Sequence, residues 1–171
     1  MPSADNRRAG LYLMAAGLVL GLDILTKQAV EAVFRHGEVR AVFGEWFQLR
    51  LVYNPGAAFD LDLGSYSRWI FLLIAMGAVV FLTRLARQTA PADRFRLVAL
   101  GLVAGGAAGN LVDRIRSPLG VVDFLDVGIG ALRWPTFNVA DMGVTCGAVA
   151  LALSFWLEDA RRSRASASAS G

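Results

Sequence analysis

The sequence predicts a mainly α membrane protein: four transmembrane helices joined by a small extracytoplasmic β-sheet and a short lid segment. Three observations carry that prediction. Of the 171 residues, 56% are hydrophobic and only 18% are charged, against about 25% charged in an ordinary soluble domain, and the mean hydropathy is +0.50. Four apolar stretches, Leu11 to Leu25, Trp69 to Leu82, Leu97 to Val112 and Val139 to Leu157, approach with their flanks the roughly 20 residues that cross a hydrocarbon core. Nine of the 17 basic residues fall in short flanks on one side of a four-span scheme, which assigns that side and both termini to the cytoplasm. Length fits one domain over 1–160, the lone Cys146 excludes a disulfide scaffold, and the pI of about 9.6 reflects orienting arginines rather than a nucleic-acid surface.

The first span (about 9–28) begins after Arg7 and Arg8 like a signal peptide, but it lacks a small-residue cleavage motif and runs on into Asp23 to Lys27. It reads as an uncleaved anchor. Residues 30–66 are too polar for lipid. Within them Phe47, Leu49, Leu51 and Tyr53 alternate with Gln48 and Arg50, the period of a half-buried strand. Asn54-Pro55-Gly56 is a turn signal, after which Phe59, Leu61 and Leu63 alternate with Asp60 and Asp62 as a second strand or a lid.

The second span (67–86) leads to a loop bearing Arg84, Arg87, Arg94 and Arg96, and the third (95–114) carries Gly101, Gly105 and Gly109 on one face. With Gly143 and Gly147 in the fourth span (138–158), these glycines predict packing of spans three and four against one another, or a groove for an incoming substrate helix. The segment 115–137 offers a strand at Val121 to Val127. Trp46, Trp69 and Trp134 suit the membrane interface, Cys146 reads as a small core residue, and the Ala/Ser-rich 161–171 reads as a disordered tail.

On this frame Asp23, Lys27, Asn110, Asp113, Arg114, Asp123, Asn138 and Asp141 all gather at the outer end of the bundle. An ionised Asp costs roughly 2.5–3.5 kcal/mol at mid-membrane, so each needs a partner or a purpose. Asp23 and Lys27, four apart, form an ion pair. Asn138 followed by Asp141 forms a reciprocal helix cap. Arg114 either neutralises a carboxylate or holds a peptide carbonyl. Asp123 interrupts the apolar run Val121-Val122-Asp123-Phe124-Leu125 and has no such explanation. Asp126 and the Asp60/Asp62 pair read as solvated strand positions.

The only histidine, His36, lies in a polar loop, which removes His-based nucleophilic catalysis and the usual zinc site, and no phosphate-binding glycine motif is present. Paired carboxylates remain, one holding a proton while the other is charged, able to activate water and protonate a leaving amine. A small proton-coupled transporter is the alternative, but its acids belong near the midplane. A non-catalytic scaffold would tolerate neutral replacements of the acids.

The blocks Asp23-Ile-Leu-Thr-Lys27, Asn54-Pro-Gly-Ala-Ala-Phe59, Gly105 to Arg114, Val121-Val-Asp-Phe124 and Phe137-Asn-Val-Ala-Asp141 resemble, in that order, those of bacterial lipoprotein (type II) signal peptidases. The resemblance implies an intramembrane aspartic endopeptidase of the bacterial inner membrane, with four helices and an extracytoplasmic sheet that cradles substrate. It cleaves diacylglyceryl-modified prolipoproteins just before the lipidated cysteine. It further implies Asp123 and Asp141 as the catalytic pair and no metal or cofactor. Asn54, Gly56, Asn110, Asp113, Arg114 and Asn138 would bind substrate or support the site, with Asp113 setting Arg114 and Asp23 and Lys27 structural. A working monomer in membrane lipid, inhibited by globomycin-like cyclic peptides, completes the expectation.

Overall fold

The structure, a computed structural model, describes residues 4–56 and 64–169. Four helices carry the fold: α1 (Ala4–Val33), α2 (Ser67–Gln88), α3 (Arg94–Arg116) and α4 (Val139–Ala169). Each contains a stretch long and apolar enough to cross a membrane; the 22 residues of α2 alone span about 33 Å at 1.5 Å per residue. Burial along α1 follows one helical stripe, Tyr12, Ala15, Val19, Asp23, Lys27 and Val30, while Leu13, Leu18 and Leu25 on the other faces are more than 60% exposed. Such an apolar exterior suits lipid and would be an aggregation surface in water.

The central helix is α3, which packs on all three others. Its Leu97 and Leu100 are fully buried in a cluster with Tyr12, Leu82, Ala86 and Ala104. Glycines decide how closely its neighbours approach. A Cβ on Gly101 would lie 2.5 Å from the Tyr12 carbonyl oxygen, and one on Gly109 would lie 2.5 Å from Asp23 Oδ2. The row Gly101, Gly105, Gly109 therefore receives α1, with Ala140 of α4 also close to Gly109, and the groove offers no room for an incoming helix. Contact between α3 and α4 runs instead over Gly106 and Gly147. The expected packing of spans three and four is thus present, through Gly106 and Gly147, while the other row on α3, about 100° away, serves α1.

Four antiparallel strands, β1 (Val39–Phe43), β2 (Phe47–Asn54), β3 (Val121–Ile129) and β4 (Leu132–Arg133), form one sheet in that order. The strands expected at 47–53 and at Val121 to Val127 are present as β2 and β3, but their burial does not alternate, β3 being buried from Val121 through Phe124; β1 and β4 carry no such sequence signal, and β1 is exposed throughout. The sheet seats on the end of α1 through Val30, Leu51, Val122 and Phe124. The segment 57–63, with the strand-or-lid reading of Phe59 to Leu63, lies outside the described residues.

Two further expectations change. Residues 161–169 continue α4 as helix rather than forming a disordered tail, because alanine extends an existing helix without a nucleation cost. Cys146 is exposed on the bundle exterior, not in the core.

Candidate active site

The site forms where β2, β3, the C-terminal end of α3 and the start of α4 converge around a cavity of about 610 Å³, lined among others by Asn54, Asn110, Arg114, Asp123 and Asp141. Strand β2 ends at Asn54 opposite Val121, with Val52 opposite Asp123, so two residues distant in sequence face each other. Gly120 permits this close approach. Its φ is +102°, and a Cβ there would collide with the Asn54 carbonyl.

At the start of α4, the Asp141 amide donates to Asn138 Oδ1 (2.9 Å) and the Asn138 amide donates to Asp141 Oδ2 (3.1 Å), the reciprocal cap read from sequence. The cap leaves the Asn138 side-chain nitrogen free to turn to β3. There it donates to Asp123 Oδ1 at 2.6 Å, with the Val122 carbonyl at 3.2 Å and Asn110 Oδ1 at 3.1 Å. Capping and orientation of Asp123 are thus one residue's work.

Asp123 is 3% exposed. Its second oxygen accepts from Asn54 Nδ2 at 3.2 Å, and Asn54 is fixed in turn by the Gly56 N–H at 3.0 Å. Burial, reinforced by the negative charge of nearby Asp141, pushes the Asp123 carboxyl up to about 7, against the opposing pull of its Asn54 and Asn138 hydrogen bonds. A carboxyl so placed can hold a proton at neutral pH. Asp141 accepts on Oδ1 from Asn110 Nδ2 at 2.8 Å.

Behind the pair lies a buried ionic hub. Lys27, 1% exposed, meets Asp23 at 2.7 Å, Asp113 at 2.8 Å and Asn110 Oδ1 at 3.0 Å. Asp23 accepts from the Ala140 amide at 2.9 Å, tying α1 to the first turn of α4. Asp113 accepts from the Val122 amide at 3.1 Å and from Arg116 Nε at 2.9 Å. Buried charges tolerate this setting because each is paired and hydrogen-bonded.

The expectation that Asp113 sets Arg114 is corrected: the Asp113 oxygens are bonded to Lys27, Arg116 and Val122, and adjacent helix residues do not face each other. Arg114 instead donates to the Gly56 carbonyl at 2.7 Å and the Asn110 carbonyl at 3.2 Å. Of its two sequence readings, the one that holds a peptide carbonyl matches this geometry.

Asn54, Gly56, Asn110, Arg114, Asp123, Asn138 and Asp141 are thus brought together, with Asp23, Lys27 and Asp113 directly behind them. Asp126 is paired with Arg133 at 2.6 Å. Asp60 and Asp62 lie outside the described residues. The His36 ring lies 5.5 Å from that of Tyr53, tilted by 38°. No group of three potential metal ligands occurs among the described residues.

Two supporting residues, Glu31 and Arg68, carry no role in the sequence reading. Glu31 joins Arg116 (2.7 Å) and the Tyr53 hydroxyl (3.2 Å), extending the hub outward. Its four-residue step from Lys27, itself four from Asp23, was a readable signal. Arg68 binds the Arg114 and Ile115 carbonyls at 2.7 and 3.1 Å, closing the end of α3; nothing in its sequence context marks it.

Comparison with known proteins bears on this arrangement. A family model described as signal peptidase (SPase) II matches residues 15–157. A lipoprotein signal peptidase of Rhodococcus jostii is 42% identical over 155 residues, covering 88% of this chain and 74% of the relative. That of Cupriavidus taiwanensis is 44% identical over 157 residues, covering 86% of each. Two solved structures, titled as a bacterial membrane enzyme by the in meso method at 2.3 Å and 1.9 Å resolution, superpose with TM-scores of 0.80 and 0.76 at 26% and 27% identity. They cover 89% and 85% of this chain and 91% and 92% of their own.

Proposed function

The chain belongs to the signal peptidase II family, and from that premise we propose that Asp123 and Asp141 are the catalytic pair with which it removes signal peptides from prolipoproteins. It is a multi-pass membrane endopeptidase of the aspartic class that cuts just before the diacylglyceryl-modified cysteine. The observation that carries the residue assignment is the shared amide of Asn138, which caps Asp141 and bonds Asp123 at 2.6 Å, joining two carboxyls at the edge of one cavity.

In this reading one carboxylate takes a proton from water, whose oxygen attacks the carbonyl carbon preceding the cysteine. The protonated partner then gives its proton to the departing nitrogen as the C–N bond breaks, leaving a peptide carboxylate and a free amine. Asn54 and Arg114 hold the substrate backbone, while Asn110 and Asn138 orient the pair. Gly56 contributes through its backbone, its N–H fixing Asn54 and its carbonyl accepting from Arg114. The scissile bond is met at the extracytoplasmic rim of the bacterial inner membrane, with both termini cytoplasmic and the acyl chains still in lipid. The arginine distribution and the crowding of all site residues at one bundle end support that orientation. Among the described residues, the site carboxylates line one cavity at one end of the bundle, which does not favour a midplane transport site. The enzyme works as a monomer, and globomycin-like cyclic peptides occupy the same cavity.

The test is cleavage of a lipidated prolipoprotein by purified, reconstituted enzyme carrying Asp123→Asn or Asp141→Asn. Both are expected to bind substrate and fail to cut it. Substantial turnover by either would remove that residue from the pair.

A further inference from the structure

The ammonium of Lys27 has three hydrogens and three acceptors, Asp23 Oδ2 at 2.7 Å, Asp113 Oδ2 at 2.8 Å and Asn110 Oδ1 at 3.0 Å. The third contact has a consequence one residue away. Because the Asn110 oxygen accepts from Lys27 and from Asn138 Nδ2 (3.1 Å), its amide nitrogen must face the other way, and there it donates to Asp141 Oδ1 at 2.8 Å. Reversing the amide would set an NH₂ group against an ammonium and leave a carboxylate facing an oxygen. The orientation is therefore dictated by charge.

Asp141 thus receives the amide that Lys27 aims on one oxygen and the Asn138 backbone N–H at 3.1 Å on the other, in the first helical turn, where unpaired N–H groups favour negative charge. Asp123 stands on a strand, with no helix terminus behind it, and one of its two bonds is the long 3.2 Å contact to Asn54. The charged groups facing the pair are Asp23 and Lys27 from α1 and Asp113 and Arg114 from α3. The sheet adds Arg50 from β2, which lines the same cavity, and Asp126, which Arg133 balances.

We propose that Lys27 is a positioning residue for the cleavage reaction: by fixing the Asn110 amide it keeps Asp141 as the proton acceptor and leaves the shared proton on Asp123. The proposal rests on the reading of Asp123 and Asp141 as the catalytic pair, and it assigns each a separate role: Asp141 activates water, and Asp123 protonates the departing nitrogen.

Removing Lys27 alone strands buried carboxylates, so the informative variant is Asp23→Asn with Lys27→Met. It deletes one charge of each sign, keeps an acceptor for the Ala140 amide and leaves Asp113 bonded to Arg116 and Val122. In reconstituted full-length enzyme kcat is expected to fall about tenfold or more with KM within about twofold, and the acid limb of the kcat profile moves to higher pH. Adding Asn110→Leu should then cost less than the product of the two separate effects, since both changes act on the same hydrogen bond to Asp141. An unmoved pH profile, or effects of the two changes that multiply, would overturn the role.

Should the double variant not fold, Asn110→Leu alone must show the same shift of the acid limb. Difference infrared spectra supply a second readout: the protonated-carboxyl band is lost in Asp123→Asn and kept in Asp141→Asn, and the reverse pattern refutes the assignment. Turnover by either single Asn variant would defeat the catalytic pair itself. Two inactive Asn variants with an unshifted profile in the Lys27 variant would defeat only the positioning role.

Discussion

Replacing Asp123 by Asn is expected to stabilise the folded protein at and above neutral pH while abolishing cleavage. The carboxyl stands at about 7 in the fold against an ordinary value of 3.8. Between those two values the folded state holds a proton that the unfolded chain has released, so the unfolding free energy declines as pH rises and the loss is complete above about 7. At pH 8 the accumulated cost is about 4 kcal/mol, and at pH 5 only about 2 kcal/mol. Asn carries no charge and escapes both. Its single side-chain oxygen can serve Asn138 or Asn54 but not both, which costs about 1 kcal/mol for the lost hydrogen bond. The net gain is about 3 kcal/mol at pH 8 and about 1 kcal/mol at pH 5, upper bounds because water in the cavity relieves part of the burial. Thermal unfolding in detergent, followed by tryptophan fluorescence at both pH values, measures the difference. The wild-type midpoint should drop further than that of the variant as pH rises, separating the two by several degrees at pH 8. Titrating groups other than Asp141, which is coupled to Asp123, are common to both proteins and cancel. Parallel curves would refute the placement of a buried, protonated carboxyl at residue 123.

The same carboxyl makes cleavage pH-dependent: with the pair needing one proton, kcat should fall as pH rises above about 7, and a profile flat to pH 9 would contradict that. Gly109→Ala sets a methyl 2.5 Å from Asp23 Oδ2, and is expected to cost about 1–3 kcal/mol of stability and to lower activity. Gly21→Ala, with nothing within 4 Å, serves as its neutral control in the same melting assay. Arg114→Lys cannot span the Gly56 and Asn110 carbonyls with one ammonium; cleavage kinetics should show KM raised about tenfold, and the melting temperature should fall with the lost buried hydrogen bond.

Sequence alone determined the membrane class, the four spans, two of the four strands and the list of polar residues at one end of the bundle. These follow from local rules: apolar length, alternation, a cap three residues before its partner and a charge pair four residues apart. The resemblance to type II signal peptidases rests on the same local blocks. Tertiary structure decided what those residues touch. The glycine row on α3 takes α1 because the choice of neighbour depends on where α1 lands, which no periodicity encodes. Asp113 turns to Lys27 and Arg116 rather than to Arg114 because side-chain direction on a helix, not adjacency, selects partners. The meeting of Asp123 with Asp141 requires β2 and β3 in register and the Asn138 cap of α4 bonded to β3. Local sequence records the carboxyls; only long-range packing, by burying one and fixing donors on the other, makes them chemically unlike.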